Sequence, residues 1–146
     1  MFKTDCKGFE DLSPMELYDI LKLRSEVFVV EQNCVFLDMD GKDQYCDHVM
    51  VYTDRLVACA RLVPPGVSYT EMSIGRVVSH SSVRRLGAGK FLMEESLRLL
   101  FQKYGVCPVK IGAQFYLKKF YESFGFVQWS DIYDEDGIDH ILMLRS

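Results

Sequence analysis

Two arginines, two glycines and a lysine crowd into Arg84-Arg85-Leu86-Gly87-Ala88-Gly89-Lys90. Directly after them Leu92, Met93, Leu97, Leu99, Leu100 and Tyr104 recur at three- and four-residue steps, while Glu94, Glu95, Arg98 and Lys103 take the other side. That pattern puts the glycines at a helix N-terminus. First-turn amides lack intrahelical partners and lie at the positive end of the helix dipole, so they stabilise an anion, and Gly87 and Gly89 let one approach the backbone. Phosphate is the natural occupant; a tight turn with solvated arginines is the alternative. A P-loop is excluded, because Lys90 is followed by Phe91 and not by Ser or Thr. A dinucleotide fingerprint fits poorly, since it lacks the third glycine and Lys110 and Ile111 stand where an acid is needed.

The elements around this turn must fit within 146 residues, enough for one domain with a substantial core, so 1–146 reads as a single unit. Net charge is −4, and bases cluster only locally, which argues against nucleic acid as a partner. Five cysteines, odd in number and never spaced Cys-x-x-Cys, read as reduced thiols of a cytoplasmic protein. Three histidines without a second ligand at metal-like spacing give no metal site. Met1 to Glu10 is charged throughout, with no apolar run for a signal peptide or membrane span.

Ser13-Pro14-Met15-Glu16 spells a capping box with proline at the first helical position, and Leu17, Ile20, Leu21, Arg24, Val27 and Phe28 trace one face of the helix it opens. From Glu31 to Asp43 a long acidic connection follows, a candidate substrate loop. His48–Thr53 and Leu56–Leu62 read as a hairpin across Asp54-Arg55, and Met72–Ser79 as the strand leading into the arginine-glycine turn. Val106–Gly112 is a further strand, Phe115–Phe124 a short helix ended by Gly125, and Phe126–Tyr133 with His140–Leu144 a final strand pair. The predicted order is α, β, β, β, α, β, α, β, β.

Two of these segments carry a family resemblance. Arg84-Arg85-Leu86-Gly87-Ala88-Gly89 matches the Arg/Gln-x-x-Gly-x-Gly/Ala signature of the GNAT superfamily of N-acetyltransferases, and Phe120-Tyr121-Glu122-Ser123-Phe124-Gly125-Phe126 resembles its later Phe-Tyr-x-x-x-Gly-Phe helix. Leu23-Arg24 with Val27-Phe28-Val29-Val30-Glu31-Gln32, Ile74-Gly75-Arg76-Val77, Gly112-Ala113-Gln114 and Glu135 to His140 resemble the ElaA-type branch. The chain departs at Arg85, where many relatives have glycine, and at Gln114, where many have asparagine. The resemblance implies an α/β (α+β) fold, a mixed central sheet with splayed parallel strands flanked by helices.

It also implies that the anion is the pyrophosphate of acetyl-CoA, bound by the amides of Leu86, Gly87, Ala88, Gly89 and Lys90 with charge from Arg84 and Arg85. Val77, Val78 and Ser79 would bond to the pantetheine arm, and Gln114 is counted with the cofactor-binding residues. The acceptor would be a small-molecule or peptide amine, with no metal and with a homodimer left open. A lysine-like amine has a pKa of about 10.4 and must lose a proton, for which Glu31 is the candidate base, a solvated glutamate or helix cap being the alternative. A main-chain amide near Val77 or Val78 would meet the thioester oxygen. Tyr121 would act on the departing thiolate; by periodicity alone it is a core tyrosine with its hydroxyl at the rim.

Three further expectations concern polar residues. Arg61 and Arg76 either position substrate or pair with acids such as Asp38 and Asp43, and His140 reads as a hydrogen-bonded structural residue. Glu31, Asp38, Asp40 and Asp43 would set up an acidic field that attracts a cationic amine. The competing functions are an autoinducer-synthase-like acyltransferase, which would need a broad basic docking face, and a non-catalytic acyl-CoA-binding module.

Overall fold

In the computed structural model, which describes residues 1–146, the chain opens with a strand, β1 (Lys3–Gly8), ahead of the helix that the predicted element order puts first. Lys3, Asp5 and Lys7 alternate with Thr4 and Cys6, so β1 carries its charges as an outer edge strand, paired antiparallel to β2 (Asp47–Tyr52). Sheet order continues through β3 (Leu56–Val63) to β4 (Ser73–Ser79), all antiparallel.

A second sheet joins β5 (Val109–Gln114) to β8 (Ile138–Arg145), which also pairs with β6 (Val127–Gln128) and β7 (Tyr133–Glu135). The expected Phe126–Tyr133 strand is thus two short pieces, and β5 begins three residues later than expected because Val106 is exposed rather than in the sheet. β7 and β8 meet at Asp136-Gly137, both at positive φ, as a two-residue hairpin turn needs.

Helix α1 (Pro14–Arg24) has the predicted capping box: Glu16 N–H donates to Ser13 Oγ at 3.1 Å, and Ser13 N–H to Glu16 Oε1 at 2.8 Å. Past Arg24 the helix widens into a π-helical segment, Ser25–Glu31, seen in the Gln32 N–H to Val27 carbonyl bond of 3.1 Å. α1 and the π-helical segment bury Ile20, Leu23 and Val27 on Met50, Cys59 and Val78. The opposite face of the sheet is covered by α2 (Ala88–Tyr104), whose Leu92, Met93, Leu97 and Leu100 join the larger core with Val49, Ile74, Val109 and Ile111. α3 (Lys118–Glu122), after a 3₁₀ turn at Phe115–Leu117, ends where Gly125 takes φ +94°.

Candidate active site

The two sheets are tied by one parallel bridge, Met72 to Val109, reinforced by Lys110 N–H donating to the Met72 carbonyl at 2.9 Å. Beyond that point β4 and β5 share no ladder and splay apart. A cavity of about 920 Å³ occupies the gap, and Val77, Val78, Ser79, Gln114 and Tyr121 are among its walls. On β4 the register slips: Cys59 faces Val78 and Arg61 faces Gly75, so Arg76 and Val77 together oppose the single residue Ala60. Arg76 holds this bulge at φ +48°, an unusual conformation for a side chain of its size. A bulge leaves its extra residue out of the ladder, which supplies main-chain polar groups to the cleft.

At one end of the cleft stands the N-terminus of α2. Ser81–Leu86 forms a 3₁₀ turn, and Gly87, at φ +81°, both closes it and caps α2 without any side-chain hydrogen bond to the first turn. Phe91 N–H is the first to reach back, to the Gly87 carbonyl at 3.0 Å, so the amides of Ala88, Gly89 and Lys90 precede the helical ladder. Around Gly87 the space where a Cβ would stand is open, whereas at Gly89 a Cβ would lie 3.6 Å from the Phe120 ring, an ordinary contact. The two glycines therefore serve differently: Gly87 supplies the left-handed turn, and Gly89 lies against Phe120. Leu86, Arg85 and Lys90 are exposed, while the Ala88 methyl is in the core.

Arg84 does not simply reach outward. Its Nε and Nη2 donate to the Ser79 carbonyl at 3.2 and 3.0 Å, and Nη1 pairs with Glu31. The next residue, Gln32, exchanges amide hydrogen bonds with Gln114 at 3.2 and 3.4 Å. Gln114 thus faces the π-helical end of α1, and that segment spans the cleft with one contact to each splayed side.

Tyr121 is the one buried tyrosine, 7% exposed, set between the rings of Phe120 and Phe126. Burial, with a smaller contribution from Tyr116, pushes its phenol well above the usual range, so it stays protonated and can donate. His140 also lines the cavity, opposite Gln114 in the β5–β8 register. Tyr69 and Tyr133 hydroxyls converge over Gly112, where a Cβ would come within 3.0 and 3.2 Å of them.

The acidic loop departs from expectation. Arg24 bonds Asp38 through Nε at 2.7 Å and Asp43 through Nη1 at 2.9 Å; Arg61 bonds Asp43 at 2.9 Å and Asp40 at 2.8 Å. Arg76 Nη2 donates to the Asp38 carbonyl at 2.8 Å, and its Nε lies 2.8 Å from Asp38 Oδ1 in an ion pair whose alignment falls short of a hydrogen bond. Burial pushes Asp43 upward, but hydrogen bonds and charge from Arg24 and Arg61 hold it below the usual carboxylate range, and Asp40 is likewise depressed by Arg61 and Arg76 against its own burial. Three arginines balance three aspartates, and Glu31 is balanced by Arg84. The expected field that would attract a cationic amine is therefore cancelled, and Arg61 and Arg76 take the structural-pair role.

The family model described as the acetyltransferase (GNAT) domain matches residues 22–145. The chain belongs to the GNAT acetyltransferase family. It is 41% identical over 138 residues to Protein ElaA of Escherichia coli strain K12, covering 92% of this chain and 90% of that one. The crystal structure of Escherichia coli ElaA superposes with a TM-score of 0.93 at 37% identity, and that of an acyl-CoA N-acyltransferase from Pseudomonas aeruginosa with 0.95 at 40%, each covering 100% of both chains.

Within this GNAT chain, sequence reasoning missed the roles of Gln32 and of the bulge at Arg76. Arginine at positive φ leaves no signal in a sequence. Gly112 did leave one, a glycine inside a strand, which marks close approach by another group. The cysteines are all free, and burial pushes the Cys59 thiol up to about 12 and the Cys46 thiol to about 11. No helix is long and apolar enough to cross a membrane.

Proposed function

We propose that the protein moves an acetyl group from acetyl-CoA to a primary amine, small-molecule or peptide, by direct transfer. One observation carries this reading: bare helix-N-terminal amides, a bulged strand and a buried, protonated tyrosine all border a single cleft between β4 and β5. The turn at Gly87 suits a pyrophosphate, being open where a side chain would stand and flanked by the exposed Arg85 and Lys90. Bound there, acetyl-CoA supplies the acetyl group already activated as a thioester.

The chain's own groups do the rest. Val77, Val78 and Ser79 offer main-chain bonding along the cleft wall, and the Arg76–Val77 bulge supplies polar backbone where charge develops on oxygen. Tyr121, on the cleft wall, is the group that would meet the departing sulfur. A coenzyme thiol has a pKa near ~8.5 and the phenol is well above its usual value of ~10, so Tyr121 stabilises the thiolate chiefly by donating a hydrogen bond rather than by surrendering its proton. A binding module would have no use for such a donor in its pocket. Glu31 and Arg84 brace the mouth, and proton removal by Glu31 would have to break that ion pair.

Mass spectrometry of an amine and peptide panel incubated with acetyl-CoA tests the proposal. Acceptors heavier by one acetyl group and stoichiometric free thiol are expected. Acetyl-CoA bound but never consumed would favour the binding module.

A further inference from the structure

We propose that His140 takes the proton from the acceptor amine and that Glu135 holds the ring once it is charged; the inference rests on the acetyl-transfer reading above. His140 is buried on β8 with its ring in the cleft. Nδ1 lies 2.8 Å from the Ile138 carbonyl oxygen, which can only accept, so Nδ1 carries a hydrogen and the neutral ring's lone pair is left on Nε2. Nε2 lies 3.2 Å from Glu135 Oε2 in a contact whose alignment falls short of a hydrogen bond, so the carboxylate stands beside the lone pair rather than in line with it. A carboxylate has no hydrogen to offer that lone pair, but it forms an ion pair with Nε2 as soon as the ring gains a proton. One partner thus aims the ring, and the other stabilises the state that follows proton transfer.

The surroundings leave few competitors. Glu31 is held by Arg84, and Asp40 by Arg61 and Arg76. Tyr133, whose ring is 5.9 Å from that of His140, is pushed up to about 12, by burial first and then by Tyr69 and Glu135, and so stays protonated. Asp136 sits at the exposed tip of the β7–β8 turn. Glu135 is itself exposed and free to follow the ring.

In the reaction the acceptor arrives as an ammonium ion, and Nε2 of His140 takes one of its protons. The freed nitrogen lone pair bonds to the acetyl carbon, the carbon–sulfur bond breaks, and sulfur keeps that electron pair beside the Tyr121 hydroxyl. The second proton lost by nitrogen ends on sulfur as the thiol, and His140 returns its proton to water.

The test compares alkylamines with their β,β,β-trifluorinated analogues, which three electron-withdrawing fluorines keep neutral at neutral pH, in wild type and His140→Gln. For the alkylamines kcat/KM is expected to fall by the ~10²–10⁴-fold of a lost general base, while the fluorinated analogues stay near wild type and calorimetric affinity for acetyl-CoA is unchanged. Glu135→Gln, an exposed change that leaves the core alone, should show the same selective loss at smaller size. Equal losses for both amine classes, or no loss, would overturn the inference while leaving acetyl transfer standing. A wild-type protein that acetylates no amine of the panel would overturn the proposed function and this inference with it.

Discussion

The two ends of the cleft solve opposite problems with similar residues. In the acidic loop, Asp38, Asp40 and Asp43 are matched with Arg24, Arg61 and Arg76, and every charge is answered within the chain. At the α2 turn, Ala88, Gly89 and Lys90 present amides that nothing in the helix answers, next to the exposed Arg85. Polar groups that satisfy one another build a frame, and those left unsatisfied at the surface mark where a ligand belongs. Residue type alone does not separate the two, since arginines stand at both ends.

Removing one partner from the frame should have the largest effect. Asp43 accepts from both Arg24 and Arg61, so Asp43→Ala leaves two buried guanidinium groups each short of one carboxylate, with Asp38 and Asp40 as their remaining partners, and should cost about 3 kcal/mol, read by urea unfolding. A loss below 1 kcal/mol would mean that the network is only decorative. At the other end, Tyr121→Phe removes a hydroxyl from the cleft and leaves the ring packing intact. We expect kcat to fall by ~10²-fold, about 2.7 kcal/mol of barrier, with acetyl-CoA affinity and stability near wild type. Wild-type turnover, measured where chemistry limits it, would remove Tyr121 from the mechanism.

Acid should dismantle the frame in two stages. Burial lowers the pKa of His48, whose Nε2 lies 2.9 Å from the Asp43 carbonyl, so the unfolded chain binds that proton more readily and stability declines as pH falls below about 6.5. The depressed Asp40 and Asp43 contribute stability that is fully present above about pH 4 and lost as pH falls toward their folded values. Urea midpoints at a series of pH values should show both limbs; a flat profile from neutral pH to pH 3 would contradict the network's role. The smallest effect belongs to Glu31→Gln. Its pair with Arg84 is exposed, so stability should change by less than about 1 kcal/mol and turnover by less than in Tyr121→Phe. A larger turnover loss would restore Glu31 as the base.

How much of this was legible in the sequence followed from how local the cause was. The Ser13 capping box, the αL end at Gly125 and the glycine turn before α2 are short-range motifs whose chemistry is spelled by adjacent residues, and each is where the spelling puts it. β1 was missed because alternating Lys and Asp on an edge strand look like a solvated terminus. The Arg84–Glu31 pair joins residues 53 apart, and the Gln32–Gln114 pair joins residues 82 apart. Such pairings are set by how the sheets splay, and no spacing encodes them. The acidic loop misled for the same reason: its aspartates were visible, and the arginines that neutralise them came from α1, β3 and β4.

Calorimetric titration of acetyl-CoA into wild type, Gly89→Ala and Gly89→Asp asks whether the open amides at the start of α2 hold the cofactor. Gly89 has helical geometry, a Cβ there makes only an ordinary contact with Phe120, and a carboxylate in a helix's first turn favours the fold, so all three proteins should unfold at similar temperatures. The alanine variant should bind, and the aspartate variant, with a negative charge placed among the amides, should show no measurable heat of binding. Near wild-type affinity in Gly89→Asp would place the cofactor elsewhere on the molecule.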